Sequence, residues 1–260
     1  MSSPADAPQR FADRADDYVR GRPGYPEELF DTVARRAGLS PGARIADIGG
    51  GTGLSSAPWL ARGFPVVAVE PSPAMRAAAI AALGGHPGFS ALDGRAEATG
   101  LEPASVDLVF AAQAFHWFDP AAARAELRRI LRAPAWVALV WNARRADGTA
   151  FLRAYEELLL EFGTDYLEVG HRGVDRERLA AFFGGEFETL RFDNFQELDE
   201  PGLRARLLSS SYVPAQGQPR HDEMLGELTG IFRDHARDGR VRLEYDVDLY
   251  LGTLELSGSS

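Results

Sequence analysis

The sequence predicts a doubly wound α/β fold, with a mainly parallel, seven-stranded sheet and helices on both faces. Three observations carry the prediction. Short apolar runs alternate with helix-forming stretches from about Leu39 to Asn142. Those runs are compact rather than alternating, as strands are when a parallel sheet buries them on both faces. A glycine-rich loop also stands directly between the first such run and the helix after it, at the end of the sheet where ligands of this architecture sit.

The elements follow in order. Phe11–Gly38 holds helical stretches on either side of Arg22-Pro23-Gly24-Tyr25-Pro26, a turn by its glycine and prolines. Ala43–Ile48 is a short strand ending at Gly49, and Leu54–Arg62 is a helix. Val66–Glu70 is a compact apolar strand. Ser72-Pro73 supplies a cap and a first-turn proline for Ala74–Leu83, a stretch rich in helix formers. Phe89–Leu92 is a weak strand and Val106–Ala111 a strong one. Asp119-Pro120 opens a helix to about Arg132, and Trp136–Trp141 is the fifth strand. Strand–helix–strand repetition of this kind implies a parallel sheet with helices on both sides.

The pattern then changes. Phe151, Tyr155, Leu158, Leu159 and Phe162 stand at helical spacing within Thr149–Phe162, and Asp175–Phe183 is a second helix. Phe187–Phe192 is a strand, and Pro201–Leu208 and His221–His235 are helices. Val241–Leu251 alternates Val241, Leu243, Tyr245, Val247, Leu249 and Leu251 on one face, so it is a strand with one buried side. The expected organisation is an N-terminal helical segment over residues 1–38, followed by a single domain over residues 39–260. That domain carries a helical insertion at about residues 147–183.

Composition narrows the function. The chain of 260 residues has no cysteine, which excludes thiolate nucleophiles, disulfides and cysteine-ligated metals. All 28 basic residues are arginine, which excludes lysine Schiff bases and a P-loop lysine. The histidines show no metal-ligand spacing, so no metal site is expected. A formal net charge of −10 disfavours a nucleic-acid partner. No apolar run of membrane-spanning length is present, and Met1–Arg20 lacks the basic start and apolar middle of a signal peptide. A cytoplasmic enzyme acting on a small molecule is the expectation; the oligomeric state is not read from the sequence.

The chemistry concentrates in Asp47-Ile48-Gly49-Gly50-Gly51-Thr52-Gly53. Glycines between a strand and a helix allow a sharp turn and a close ligand approach, and the helix start offers free N–H groups. About twenty residues on, Glu70 ends the next strand, where a carboxylate can accept both hydroxyls of a ribose. Two cofactors suit such a constellation. A nicotinamide site wants a third glycine or alanine at a set spacing, and Leu54 or Ser56 stands there instead.

The Asp-x-Gly-x-Gly-x-Gly spacing resembles the first motif of the class I S-adenosylmethionine-dependent methyltransferases. Their sheet is Rossmann-like. Val66 to Met75, with Glu70-Pro71-Ser72-Pro73, is similar to that family's second motif, and Gly94-Arg95-Ala96-Glu97 to its third. Val106 to Phe118, ending Gln113-Ala114-Phe115-His116-Trp117-Phe118, looks like the fourth motif and its loop. With Arg22 to Pro26, this last stretch resembles the type 11 group that includes trans-aconitate methyltransferase-like proteins.

The resemblance implies a cofactor site of Asp47, Gly49, Gly50, Gly51, Gly53, Glu70, Pro71, Met75, Ala96, Glu97 and Gln113. Asp47 or nearby carbonyls would accept from the α-amino group of S-adenosylmethionine. Where many relatives carry an aspartate on the adenine this chain has Arg95, which leaves that contact to Ala96, Glu97 or Asp93. The N-terminal segment would fold over the cofactor as a helical lid, bringing Tyr18 and Tyr25 to the methionine end or the substrate. His116 is the candidate base for a hydroxyl or amine acceptor. Arg144 and Arg145, after the fifth strand, are candidates to fork a substrate carboxylate. The remaining alternative is a binding protein on the same fold that has lost turnover.

Overall fold

A computed structural model describes residues 21–164, 166, 175–210 and 212–254. Seven strands form one sheet: β1 Ile45–Ile48, β2 Val66–Val69, β3 Phe89–Leu92, β4 Val106–Ala112, β5 Leu131–Arg144, β6 Phe187–Leu198 and β7 Val241–Thr253. Their order is β3-β2-β1-β4-β5-β7-β6. The first five are mutually parallel, whereas β7 runs antiparallel to both β5 and β6. The chain moves outward from β1 to β3, then returns to β4 on the other side. The strand order therefore reverses between β1 and β4, and a crevice opens at their carboxyl ends.

Eight helices accompany the sheet among the described residues: α1 Glu27–Arg36, α2 Ser56–Ala61, α3 Pro73–Leu83, α4 Pro120–Ile130, α5 Ala150–Phe162, α6 Arg176–Phe183, α7 Glu200–Leu208 and α8 His221–His235. Their starts have local causes. Ser72 accepts from the Met75 N–H at 3.5 Å, and Asp119 from the N–H groups of Ala121 and Ala122 at 3.0 and 3.1 Å, each ahead of a first-turn proline. Thr149, Asp175 and Asp199 cap α5, α6 and α7 in the same way.

Two strands outrun the expectation. β5 starts at Leu131, where Val106 of β4 pairs with it, so α4 stops at Ile130 rather than at Arg132. β6 continues past Phe192 to Leu198, through Asp193, Asn194, Gln196 and Glu197. The reason is its ladder with β7, unbroken from Phe187 opposite Gly252 to Leu198 opposite Val241. Main-chain pairing is indifferent to polar side chains that face solvent, and an edge strand tolerates them.

The core lies on both faces of the sheet. On one, α4 and α6 bring Leu127, Ile130, Phe182 and Phe183 against Val109 and Val137. On the other, Phe30 of α1 and Trp59 of α2 meet Phe110, with ring centroids 5.1–5.6 Å apart. A separate core joins α5, α7 and α8 to the first residues of β7. Because β7 is antiparallel, those residues lie at the carboxyl end of β5. This helical body therefore stands beside the crevice.

Candidate active site at the carboxyl ends of the strands

Asp47 sits in β1 between Ala68 of β2 and Phe110 of β4. It is fully buried. The hydroxyls of Ser55 and Ser56 donate to its Oδ2 at 2.7 and 2.6 Å, while Oδ1 is buried with no hydrogen-bond partner. Burial pushes the carboxyl up to about 6, against the pull of the two serines. A buried acceptor atom is thus held in place without a donor.

The glycine loop leaves β1 when the Gly49 N–H donates to the Val69 carbonyl at 2.8 Å. Gly49 has φ +70, and a Cβ there would lie 2.6 Å from the Ala114 Cβ. Gly51 has φ +55, and a Cβ there would meet nothing closer than 4.0 Å. The first glycine lets β1 pass close to the loop after β4; the second faces open space. Gly50 and Gly53 complete the turn into α2.

Glu70, just past β2, holds this loop. Its Oε2 accepts from the Gly51 N–H at 2.9 Å and its Oε1 from the Ser72 N–H at 2.8 Å. Desolvation raises its pKa against those two bonds. Each oxygen retains a further acceptor site, and the pair is oriented toward the loop. Met75 is buried one turn into α3, and Pro71 is half-buried beside it. Ala96 is buried in a turn closed by reciprocal main-chain bonds between Arg95 and Ala98. The Glu97 carboxylate accepts from the Asp119 N–H at 2.8 Å, which ties that turn to the start of α4.

Gln113 follows β4 at φ +57, a left-handed conformation unusual outside glycine. Tertiary contacts impose it. Its N–H donates to the Val140 carbonyl at 2.9 Å, and its Nε2 to the Asn142 carbonyl at 2.9 Å. Asn142 is buried, with Oδ1 unpartnered and Nδ2 donating to the Gly24 carbonyl at 3.3 Å. Asn194 of β6 donates to the same carbonyl at 2.8 Å. The turn at Arg22–Pro26 is thereby pinned across the ends of β5 and β6. It leaves Tyr25 half-buried and edge-on to Phe30 at 6.5 Å. Tyr18 lies outside the described residues.

His116 lies in a short turn at Phe115–Trp117, with its ring 4.6 Å from Trp117 and 5.2 Å from Trp141. The ring is exposed, yet the protein around it and then the Arg178 guanidinium hold its pKa below the ordinary imidazole range. That combination suits a side chain on the wall of a cleft. Arg144 and Arg145 do not form an open fork. Arg145 is held by Asp193, Asp246 and Glu244, and Arg144 by Glu156 and the Tyr166 hydroxyl.

Ser55, Ser56 and Asn142 belong to this site and are not read from the sequence. For the serines there was a signal, since they open the helix that follows the glycine loop. Asn142 carries none, because its burial depends on the approach of the Gly24 turn.

The comparisons with known proteins agree with this architecture. A protein-family model described as a methyltransferase domain matches residues 46–139. An uncharacterized methyltransferase of Mycobacterium tuberculosis is 45% identical over 127 residues, 49% of this chain and 49% of that protein. An uncharacterized methyltransferase-like protein of Schizosaccharomyces pombe is 34% identical over 130 residues, 49% of each. The chain thus spans about half the length of the curated relatives it matches. Among solved structures, a candidate type II methyltransferase from Anaeromyxobacter dehalogenans is 28% identical, with a TM-score of 0.64 over 90% of this chain and 98% of that one. A candidate methyltransferase from an antibiotic biosynthesis pathway of Anabaena variabilis shares the fold at 22% identity, with a TM-score of 0.62 over 88% and 98%. Residues 46–139 thus match a methyltransferase domain, and the seven-stranded sheet that carries them has the Rossmann-like α/β fold of the methyltransferases it resembles.

Proposed function

We propose that the chain binds S-adenosylmethionine across the carboxyl ends of β1, β2 and β4 and transfers its methyl group to a small-molecule acceptor, at a carboxylate or hydroxyl oxygen. The observation that carries this reading is the buried, unpartnered Oδ1 of Asp47, in the strand that runs straight into the glycine loop. An unsatisfied buried carboxylate oxygen calls for a cationic donor, and the α-amino group of the cofactor is one. Glu70 would hold the ribose hydroxyls, Pro71 and Met75 would flank the adenine, and Ala96 would meet its edge.

When bound, the cofactor supplies an already activated sulfonium methyl. The work left to the chain is alignment and the exclusion of water. Gln113, fixed by its two bonds to β5, would shape the floor between the cofactor and the acceptor. His116, uncharged at neutral pH, would take the proton of a hydroxyl acceptor; a carboxylate acceptor needs no base. The net charge of −10 favours a small acceptor over a nucleic acid, and no described helix is long and apolar enough to cross a membrane.

The test is calorimetric titration with S-adenosylmethionine, S-adenosylhomocysteine and NAD, for the wild type and Glu70→Ala. Binding of both adenosyl ligands with Kd near 1 μM, about 8 kcal/mol, lost in the variant and absent for NAD, is the expected result. No binding of either adenosyl ligand to the wild type overturns the reading.

A further inference from the structure

The helical body beside the crevice buries a charge that the cofactor site does not use. Arg206 of α7 is 5% exposed. Its Nε donates to the Tyr245 hydroxyl at 3.1 Å, and its Nη1 to the hydroxyls of Ser210 and Ser209 at 3.1 and 3.4 Å. Among the described residues it forms no ion pair; every side-chain partner is a neutral hydroxyl. Taking a guanidinium out of water without a counter-charge is costly, and buried arginines are ordinarily matched to carboxylates.

A second observation points into the same place. Tyr155 of α5 is 1% exposed, and its hydroxyl has no hydrogen-bond partner. The Arg144 guanidinium stands 5.1 Å over its ring. Arg144 is matched by Glu156, so among the described residues the positive charge without an ion pair here belongs to Arg206. Tyr212 reports the resulting potential. Burial raises its phenol, but Arg206 foremost, then a bond with Ser210, then Arg22 and Arg144, bring it below the ordinary tyrosine range.

The position also fits. Tyr245 pairs with Arg144 across β7 and β5, and Arg144 lies two residues beyond Asn142, whose carbonyl holds Gln113 at the end of β4. The cluster therefore lies past the carboxyl end of β5, on the side of the crevice away from Glu70.

We propose that Arg206, with the hydroxyl of Tyr155, anchors an oxyanion, carboxylate or phosphate, of the methyl acceptor, while Tyr245, whose own proton goes to Gln196 Oε1 at 2.6 Å, holds the guanidinium in place. The guanidinium would supply charge and the N–H groups of Nη2, its Nε and Nη1 being held by Tyr245, Ser209 and Ser210. The Tyr155 hydroxyl would donate the bond it now lacks. The word acceptor rests on the methyltransferase reading; the anion site itself does not.

The full-length chain is titrated calorimetrically with succinate and with inorganic phosphate up to about 10 mM, the range in which a single small anion is held. Neutral succinamide is the control, and each titration is run with and without S-adenosylhomocysteine. The wild type binds one of the anions and not succinamide; which anion binds identifies the source of the group. Tyr155→Phe leaves the melting temperature unchanged or higher, because it removes an unsatisfied buried hydroxyl, yet weakens the anion about tenfold. Arg206→Lys keeps the charge but cannot both hold Tyr245 and Ser210 and reach the anion as the planar guanidinium does, and weakens it at least as much. Bound anion also shifts the appearance of tyrosinate absorbance from Tyr212 to higher pH. The proposal is overturned if neither anion binds, if succinamide binds equally, or if both variants bind like the wild type. Binding of S-adenosylhomocysteine in the same titrations reports on the cofactor reading separately, so either can fail alone.

Discussion

Replacing Asp47 by Asn separates the needs of the fold from those of the ligand. The native carboxyl titrates at about 6 instead of 3.8, because burial opposes its charge. The folded state therefore holds this proton more tightly than the unfolded state. The stabilisation is full below about pH 4 and is lost as pH rises through about 6. A rise of that size corresponds to about 3 kcal/mol. An asparagine can still accept from Ser55 and Ser56 but cannot ionise. Burying its amide costs something as well, but that cost does not change with pH. The stability of Asp47→Asn relative to wild type should therefore increase by about 3 kcal/mol between pH 4 and pH 8, read by thermal or urea unfolding monitored by circular dichroism. At pH 8, S-adenosylhomocysteine affinity should fall 10- to 100-fold in the variant, the worth of one hydrogen bond to a charged group. Wild-type affinity should weaken below about pH 6, as Oδ1 loses its charge. A relative stability that does not move with pH would refute the argument for a strained, buried carboxylate. Undiminished affinity in the variant would refute its role toward the ligand.

Two further perturbations test the loop and the cleft. Gly49→Ala forces a side chain into φ +70 and to 2.6 Å from the Ala114 Cβ, so the urea midpoint should fall by the equivalent of about 2–4 kcal/mol. Gly51→Ala, at φ +55 but with nothing closer than 4.0 Å, should cost only about 1 kcal/mol of stability while weakening the adenosyl ligand more than Gly49→Ala does. Equal stability losses at the two positions would contradict the geometry. His116 is held below the ordinary imidazole range, so kcat with a hydroxyl acceptor should be flat from about pH 6.5 upward rather than inflecting there. His116→Ala should lower kcat about 100-fold or more; an inflection near neutrality, or a fully active variant, would remove the imidazole from the proton transfer.

The order of strands and helices, the glycine loop and the carboxylate after β2 were all readable from the sequence. Each depends on neighbouring residues: apolar periodicity sets the element, and Gly49 at positive φ or Ser72-Pro73 at a helix start is a local backbone requirement. What the sequence did not determine is which side chains meet across distance. The polar half of β6 becomes a strand only because β7 lies alongside it. Arg145 reads as a candidate to fork a substrate carboxylate until β6 and β7 bring Asp193, Glu244 and Asp246 to it. Arg206 is not singled out by the sequence; α7 packs it onto Tyr245 and buries it with no ion pair among the described residues. Local patterns set an element's type because their energies act within a turn or two of chain. The charge state and partners of a buried group are set by what the tertiary packing brings within a few ångströms, and no stretch of sequence records that by itself.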